Sequence, residues 1–428
     1  MFGNGKKTWR RIGILVLLLG GGLGGPAYGF AGGTGEPNDP YQIATVADLV
    51  AIGADSKLLS KYFVLVNDLD LDPNLPGGRV FEDALIARDT DTKPNAASGL
   101  SFSGVLDGQG HVIRRLCLAG KPGCDAGLFG KLSGLVRDLH LADVRIEGSP
   151  CGALAGRSSN AMILGCSVTG KVTGSYCVGG LIANAWDTTM IRCEARADVG
   201  GDESSTVGGL VGATGLLYSR LVECRAQGMV TGGKWVGGLL GSSGPATTIL
   251  RCAARGQVVA TGGAGGLLGQ AMSDLSLVDC YARGSVTGSV AGGLVGDSGA
   301  GPFKYILNNY AACEVLGLTP GTTTPVTGGL FGKRNWYATP CVIAGCFWDA
   351  ELSQLPVATG SGLGNANPAA PASGTRRPDF GTGLTTRQMQ ERAAFEQAGW
   401  DFSYAWALPE NGYPVLQWEL LQDASRKP

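Results

Sequence analysis

The chain is 428 residues long, with 72 glycines, 44 % hydrophobic and 16 % charged residues, and a formal net charge of −1. That much apolar surface with so little net charge excludes disorder, and glycines off a three-residue period exclude collagen. Near-neutrality argues against nucleic acid, whose binders carry a basic excess, and two histidines, His111 and His140, leave little for histidine catalysis or histidine-rich metal sites.

Residues 1–31 read as a signal peptide. Lys6, Lys7, Arg10 and Arg11 form a basic head, Ile12 to Leu23 an apolar core, and small residues surround cleavage points after Gly29 or Ala31. The core is shorter than the roughly 20 residues of a membrane span, and no later apolar stretch reaches that length. The expectation is a secreted or envelope-associated protein without a transmembrane segment or a lipid-modified cysteine. Residues 32–126 then hold an N-terminal cap and the first coils. Thr45 and Asp48 make a capping box ahead of Leu49 and Ile52. Asp68, Asp70 and Asp72 alternate with Leu69 and Leu71, a strand with an acidic outer face. A calcium loop would need glycine sixth and glutamate twelfth, where Pro73 and Arg79 stand.

Residues 127–355 repeat. Gly127-Leu128-Phe129-Gly130 returns as Ala153-Leu154-Ala155-Gly156, Gly180-Leu181-Ile182-Ala183 and Gly209-Leu210-Val211-Gly212. Four more copies centre on Leu239, Leu267, Leu294 and Leu330, and the steps between leucines are 26, 27, 29, 29, 28, 27 and 36. A strand signal follows each copy: Leu250, Cys252, Ala254, Gly256 and Val258 alternate with Arg251, Ala253, Arg255 and Gln257. One repeat cannot bury its apolar face alone, so neighbours must stack on it. The pattern predicts a parallel β-helix with coils of about 28 residues, its paired glycines serving tight corners at positive φ.

These Gly-Leu-x-Gly copies resemble the GLUG motif of bacterial exported adhesin-like and peptidase-associated proteins, over roughly Gly127 to Gly332. Ala153 and Ala183 depart from the motif. The resemblance implies an all-β, right-handed single-stranded parallel β-helix with short capping helices, and it transfers no peptidase activity. Residues 356–383 form a Gly/Ala/Pro-rich loop or linker. Residues 384–428 form a C-terminal helix and aromatic cap, in which Thr385 and Gln388 make a second capping box and the residues from Trp400 to Trp418 cover the last coil.

Cys166, Cys193, Cys224, Cys252 and Cys280 share one repeat position and predict a buried thiol column, because in-register side chains point the same way and strain a bridge. Cys117 with Cys124, and Cys151 with Cys177, are the disulfide candidates. One position before the column, Arg192, Glu223, Arg251 and Asp279 alternate in sign as a surface salt-bridge ladder. Three positions after it stand Arg196, Gln227, Arg255 and Arg283, beside Tyr281 and Tyr310. This stripe is the candidate ligand site. Guanidinium forks bind carboxylate or sulfate and rings stack on sugar faces, so its partner would be an acidic polysaccharide or cell-surface glycan. No paired carboxylates repeat in register, and no Asp-Asp, Gly-His-Gly, Gly-x-Ser-x-Gly or His-Glu-x-x-His motif occurs. The sequence therefore predicts a non-catalytic surface, adhesive or carbohydrate-contacting protein without cofactor or metal. The alternatives are a polysaccharide lyase or glycoside hydrolase on the same fold, and a purely structural envelope component.

Overall fold

The computed structural model describes residues 29–89, 99–215, 218–299, 303–319, 324–334, 342–362 and 381–425. The signal pattern before Gly29, Cys341 and most of the Gly/Ala/Pro-rich stretch lie outside them. The chain winds as stacked coils, each built from four short strands. One coil runs through Thr248–Leu250, Ala253–Ala260, Gly263–Gly265 and Leu268–Gln270. Each solenoid strand pairs in parallel with its counterparts above and below, giving among the described residues sheets of 11, 12, 7 and 9 strands along the axis. Thr248 pairs with Ser276 and Ala253 with Tyr281, so the register advances by one sequence repeat per coil. The fold is the predicted parallel β-solenoid.

Alternation fails at one corner, with consequences for which residues are inside. Cys252, Ala254 and Val258 are buried as expected, but Ile249 fills the core in place of Leu250, which is half-exposed. Met190 and Leu277 likewise replace Ile191 and Val278. The residue at the bend explains this. Arg192, Arg251 and Asp279 have φ of 55°, 50° and 52°, and one left-handed residue turns the chain and shifts the two-residue phase. Asp138, Gly165, Glu223, Asn308 and Gly345 hold the same bend in other coils.

The motif glycines work differently from the expectation. Gly238 and Gly241 do not have positive φ; a Cβ on them would stand 2.1 Å from the Gly266 carbonyl oxygen and 2.5 Å from that of Gly212. They are needed for close approach between coils, while the positive-φ bend is carried mostly by charged and amide residues.

The thiol column lies in the lumen. Cys193, Cys252 and Cys280 each donate to a carbonyl one coil back, on Ile163, Leu221 and Ile249, at 3.4, 3.4 and 3.5 Å. Burial pushes the Cys193 and Cys252 thiols far above the ordinary range. Asn309 continues the ladder, donating to the Leu277 carbonyl at 2.9 Å and accepting from the Cys280 N–H at 2.9 Å.

At the N-terminal end the capping box forms around helix Val46–Ala54: Thr45 Oγ1 accepts from the Asp48 N–H at 3.2 Å, and Asp48 accepts from the Thr45 N–H at 2.9 Å. Asp68 meets His111 and Arg114 of the next coil, and Asp70 and Asp72 meet Arg115, which neutralises the acidic edge. The C-terminal residues do not sit simply over the last coil. After Thr382–Leu384, which pairs with Phe347–Asp349, the chain runs back along the flank of the twelve-stranded sheet.

Candidate functional site

The outer face of the twelve-stranded sheet places two predicted columns side by side. Arg196, Gln227, Arg255 and Arg283 are in register, and beside them run Ser167, Glu194, Arg225, Ala253, Tyr281 and Tyr310. The stripe exists, but it is not an open platform. Tyr281 and Tyr310 are completely buried, their rings stacked 5.0 Å apart under Trp406. Trp400, Trp406, Leu416 and Trp418 form a second hydrophobic core with these tyrosines and Phe347. Each indole N–H has an acceptor on the solenoid: Trp400 on the Gly345 carbonyl, Trp406 on Asp279 and Trp418 on the Arg251 carbonyl. The tyrosines therefore cannot stack on a sugar in this conformation, which corrects the sequence expectation.

The chain's own C-terminal groups occupy the guanidiniums of Arg225, Arg255 and Arg283. Arg255 donates to Glu419 at 2.9 Å and to the Tyr281 hydroxyl, which in turn donates to Glu419 at 2.8 Å. Arg283 and the Tyr310 hydroxyl both donate to the Pro414 carbonyl, at 2.8 and 2.6 Å. Arg225, which sequence reasoning passed over, sits at the centre. Its side chain contacts Glu194 at 2.5 Å and forks onto both Asp423 oxygens at 2.7 and 3.2 Å. Burial works to lower the Arg225 pKa, but the bonds to Asp423 and Glu194 outweigh it and raise it. Hydrogen bonding from Arg225 holds the Asp423 carboxyl below the ordinary carboxylate range. Asp423 lies 198 positions from Arg225 in the chain, and no local pattern announces such a contact.

The neighbouring charge ladder forms in part. Glu223 bridges Arg192 at 2.8 Å and Arg251 at 3.0 Å, whereas Asp279 is held by Trp406 and Asn308 rather than by a cation. The disulfide candidates are not bridged as predicted: Cys117, Cys151 and Cys177 are free thiols. Cys151 pairs in register with Val178 rather than Cys177, and the two thiols donate instead to the Thr173 and Ala183 carbonyls.

Two further features were not legible in the sequence. A buried quartet pairs Asp89 with Lys131 and Asp125 with Arg157, each at 3.0 Å, and the Trp186 ring lies against Arg157. More open is a groove of about 530 Å³ at the corner where the twelve-stranded sheet passes into the seven-stranded one. It crosses four successive coils. It is lined by glycines, from Gly120 to Gly201, and by Glu147, Ser149, Thr173, Ser175 and Asp202. Tyr176, adjacent in sequence to Ser175, is exposed with φ of 66°. Two smaller cavities, about 380 and 360 Å³, adjoin helix Val46–Ala54 and share Val50, Arg79 and Phe81. Among the described residues, no helix is long and apolar enough to cross a membrane.

No family model matches the chain. Halomucin of Haloquadratum walsbyi is 32 % identical over 173 residues, which is 39 % of this chain and 2 % of that protein. A candidate Gly-rich membrane protein of Evansella cellulosilytica is 29 % identical over 128 residues, 30 % of this chain and 12 % of its own length. The chain thus spans a small fraction of the curated relatives it matches. Among solved structures, a candidate immunoglobulin A1 protease of Bacteroides ovatus overlays with a TM-score of 0.47 at 17 % identity, covering 91 % of this chain and 95 % of the other.

Proposed function

We propose that the protein is an exported, non-catalytic surface solenoid that contacts carbohydrate, and that the contact follows the corner groove. The groove itself carries this reading: a channel across four coils, whose spacing of about 4.8 Å makes it roughly 14 Å long, lined by glycines, hydroxyls and two carboxylates. Hydroxyls and carboxylates exchange hydrogen bonds with sugar hydroxyls, and the exposed Tyr176 offers a ring for an apolar sugar face. Glu147 and Asp202 disfavour an acidic ligand here, so the ligand of the groove is a neutral glycan.

The non-catalytic part rests on the engagement of the carboxylates on the sheet face, and the product assay below tests it for Glu147 and Asp202 of the groove. Glu194 and Glu223 are each bound by two arginines, and Asp279 is closed in by Trp406 and Asn308. A carboxylate neutralised in this way is poorly placed for the proton transfers of glycoside cleavage. Export follows from the N-terminal pattern, and the names of the two curated relatives are in keeping with an extracytoplasmic place.

The test is binding of the exported chain to immobilised neutral and acidic polysaccharides, with soluble products monitored, in wild type and Gly200→Trp. A Cβ on Gly200 meets nothing nearer than 3.4 Å, so the indole obstructs the groove without a backbone clash. Neutral-glycan binding that falls at least tenfold in the variant is expected. Product release would overturn the non-catalytic reading, and absence of binding would leave a structural envelope component.

A further inference from the structure

We infer that the arginine ladder is an anion-binding site held closed by the chain's own C-terminal helix, with Asp423 in the place of a ligand's carboxylate. The inference rests on the carbohydrate reading above but concerns a different face of the solenoid. Its ligand class is an anionic polysaccharide bearing uronate groups.

Four guanidiniums, on Arg196, Arg225, Arg255 and Arg283, stand on successive coils of one sheet face. Three carboxylates, on Glu194, Glu419 and Asp423, face them. The carboxylates differ in how firmly they are placed. Glu194 belongs to the sheet, and Glu419 is buried between Tyr281, Arg255 and the Leu416 N–H. Asp423 is half-exposed, yet it meets Arg225 through the two-pronged geometry by which arginine selects carboxylates.

Asp423 also sits in the last turn of helix Gln417–Ser425, which has no basic residue there. A negative charge at a helix C-terminus opposes the helix dipole, so the helix does not favour Asp423 in that position; Arg225 does. The intervening Leu420 and Leu421 point outward, with 49 % and 73 % exposure. Beyond the buried Trp418 and Glu419, the last turns are held by this ion pair and the partly buried Gln422. When they fray, Arg225 and the half-exposed Arg196, whose Nη2 lies 3.9 Å from Asp423, are uncovered together. Two forks on adjacent coils then suit acid groups repeated along a polymer. An anionic polysaccharide competes with Asp423 and needs no rearrangement of the Trp400–Trp406 core.

The experiment measures polygalacturonate binding at low salt by full-length exported wild type, Asp423→Ala and Asp423→Ala/Arg196→Ala, with neutral dextran as control. Asp423→Ala is expected to bind polygalacturonate at least tenfold more tightly than wild type, and the added Arg196→Ala change to remove most of the gain. Unchanged thermal midpoints show that the fold is intact. Asp423→Asn provides a second variant that keeps the side-chain shape and lacks the charge. Affinity equal to wild type in both Asp423 variants, or an equal gain for dextran, overturns the inference. Loss of neutral-glycan binding in Gly200→Trp does not depend on Asp423, so the two readings fail separately.

Discussion

At the scale of single residues, the solenoid depends on a left-handed bend repeated once per coil. The bend is held by Arg192, Glu223, Arg251, Asp279 and Asn308, although a left-handed conformation costs a residue with a Cβ about 1–2 kcal/mol. The side chains recover part of that cost through the Arg192–Glu223–Arg251 pairs, each worth about 0.2–1 kcal/mol at the surface. Comparing Arg192→Gly with Arg192→Val separates the two contributions, since both lose the pair and only one keeps a Cβ. The glycine variant should exceed the valine variant by about 1–2 kcal/mol in urea unfolding. Equal midpoints would mean that the bend is not a backbone constraint.

At the scale of the strand and its corner, the Gly-Leu-x-Gly copies set how closely the coils stack. Gly238 has the Gly266 carbonyl oxygen 2.1 Å from where its Cβ would lie, and that atom belongs to a neighbouring backbone which cannot swing aside. Gly238→Ala is expected to cost about 1–3 kcal/mol, as overpacking does, and to lower the thermal midpoint. Gly200→Ala, whose Cβ meets only the Thr173 and Thr231 side chains at 3.4 Å, should leave it nearly unchanged. If both substitutions behave alike, the motif glycines have another role. The thiol column obeys the same close packing: small side chains fill a narrow lumen, and each thiol reaches back one coil to a carbonyl.

At the scale of the whole molecule, the C-terminal segment joins coils that are otherwise linked only to their neighbours. It spans from Gly345 to Arg225 and carries the second hydrophobic core. Its last helix should respond to acid. Arg225 depresses the Asp423 pKa, so the stabilisation is complete above the ordinary carboxylate value of about 3.9 and is lost as pH falls through the lower folded value. Glu194, Glu419, Arg196 and Arg255 face the same pair and remain as the background. Trp418 emission should therefore shift below the usual carboxylate range in wild type and lose that step in Asp423→Asn. A step that survives the substitution would assign it to another carboxylate.

The repeat, the parallel solenoid and the buried cysteine position were legible in the sequence because each depends on period: what recurs every 28 or so residues must stack on itself. The identity of Ile249 rather than Leu250 as the core residue was not legible, because a single left-handed residue resets the alternation and arginine does not advertise that conformation. The in-register alignment of the arginine and tyrosine positions is legible in the sequence, since register follows from the repeat. Their burial was decided elsewhere in the chain. Trp406, Glu419 and Asp423 come from a non-repeating segment, far away in sequence, whose docking depends on shape and charge complementarity rather than on periodicity. The corner groove arises differently, from the path of four successive coils around one corner. Period thus determined the scaffold, and only long-range packing determined which of its faces are open.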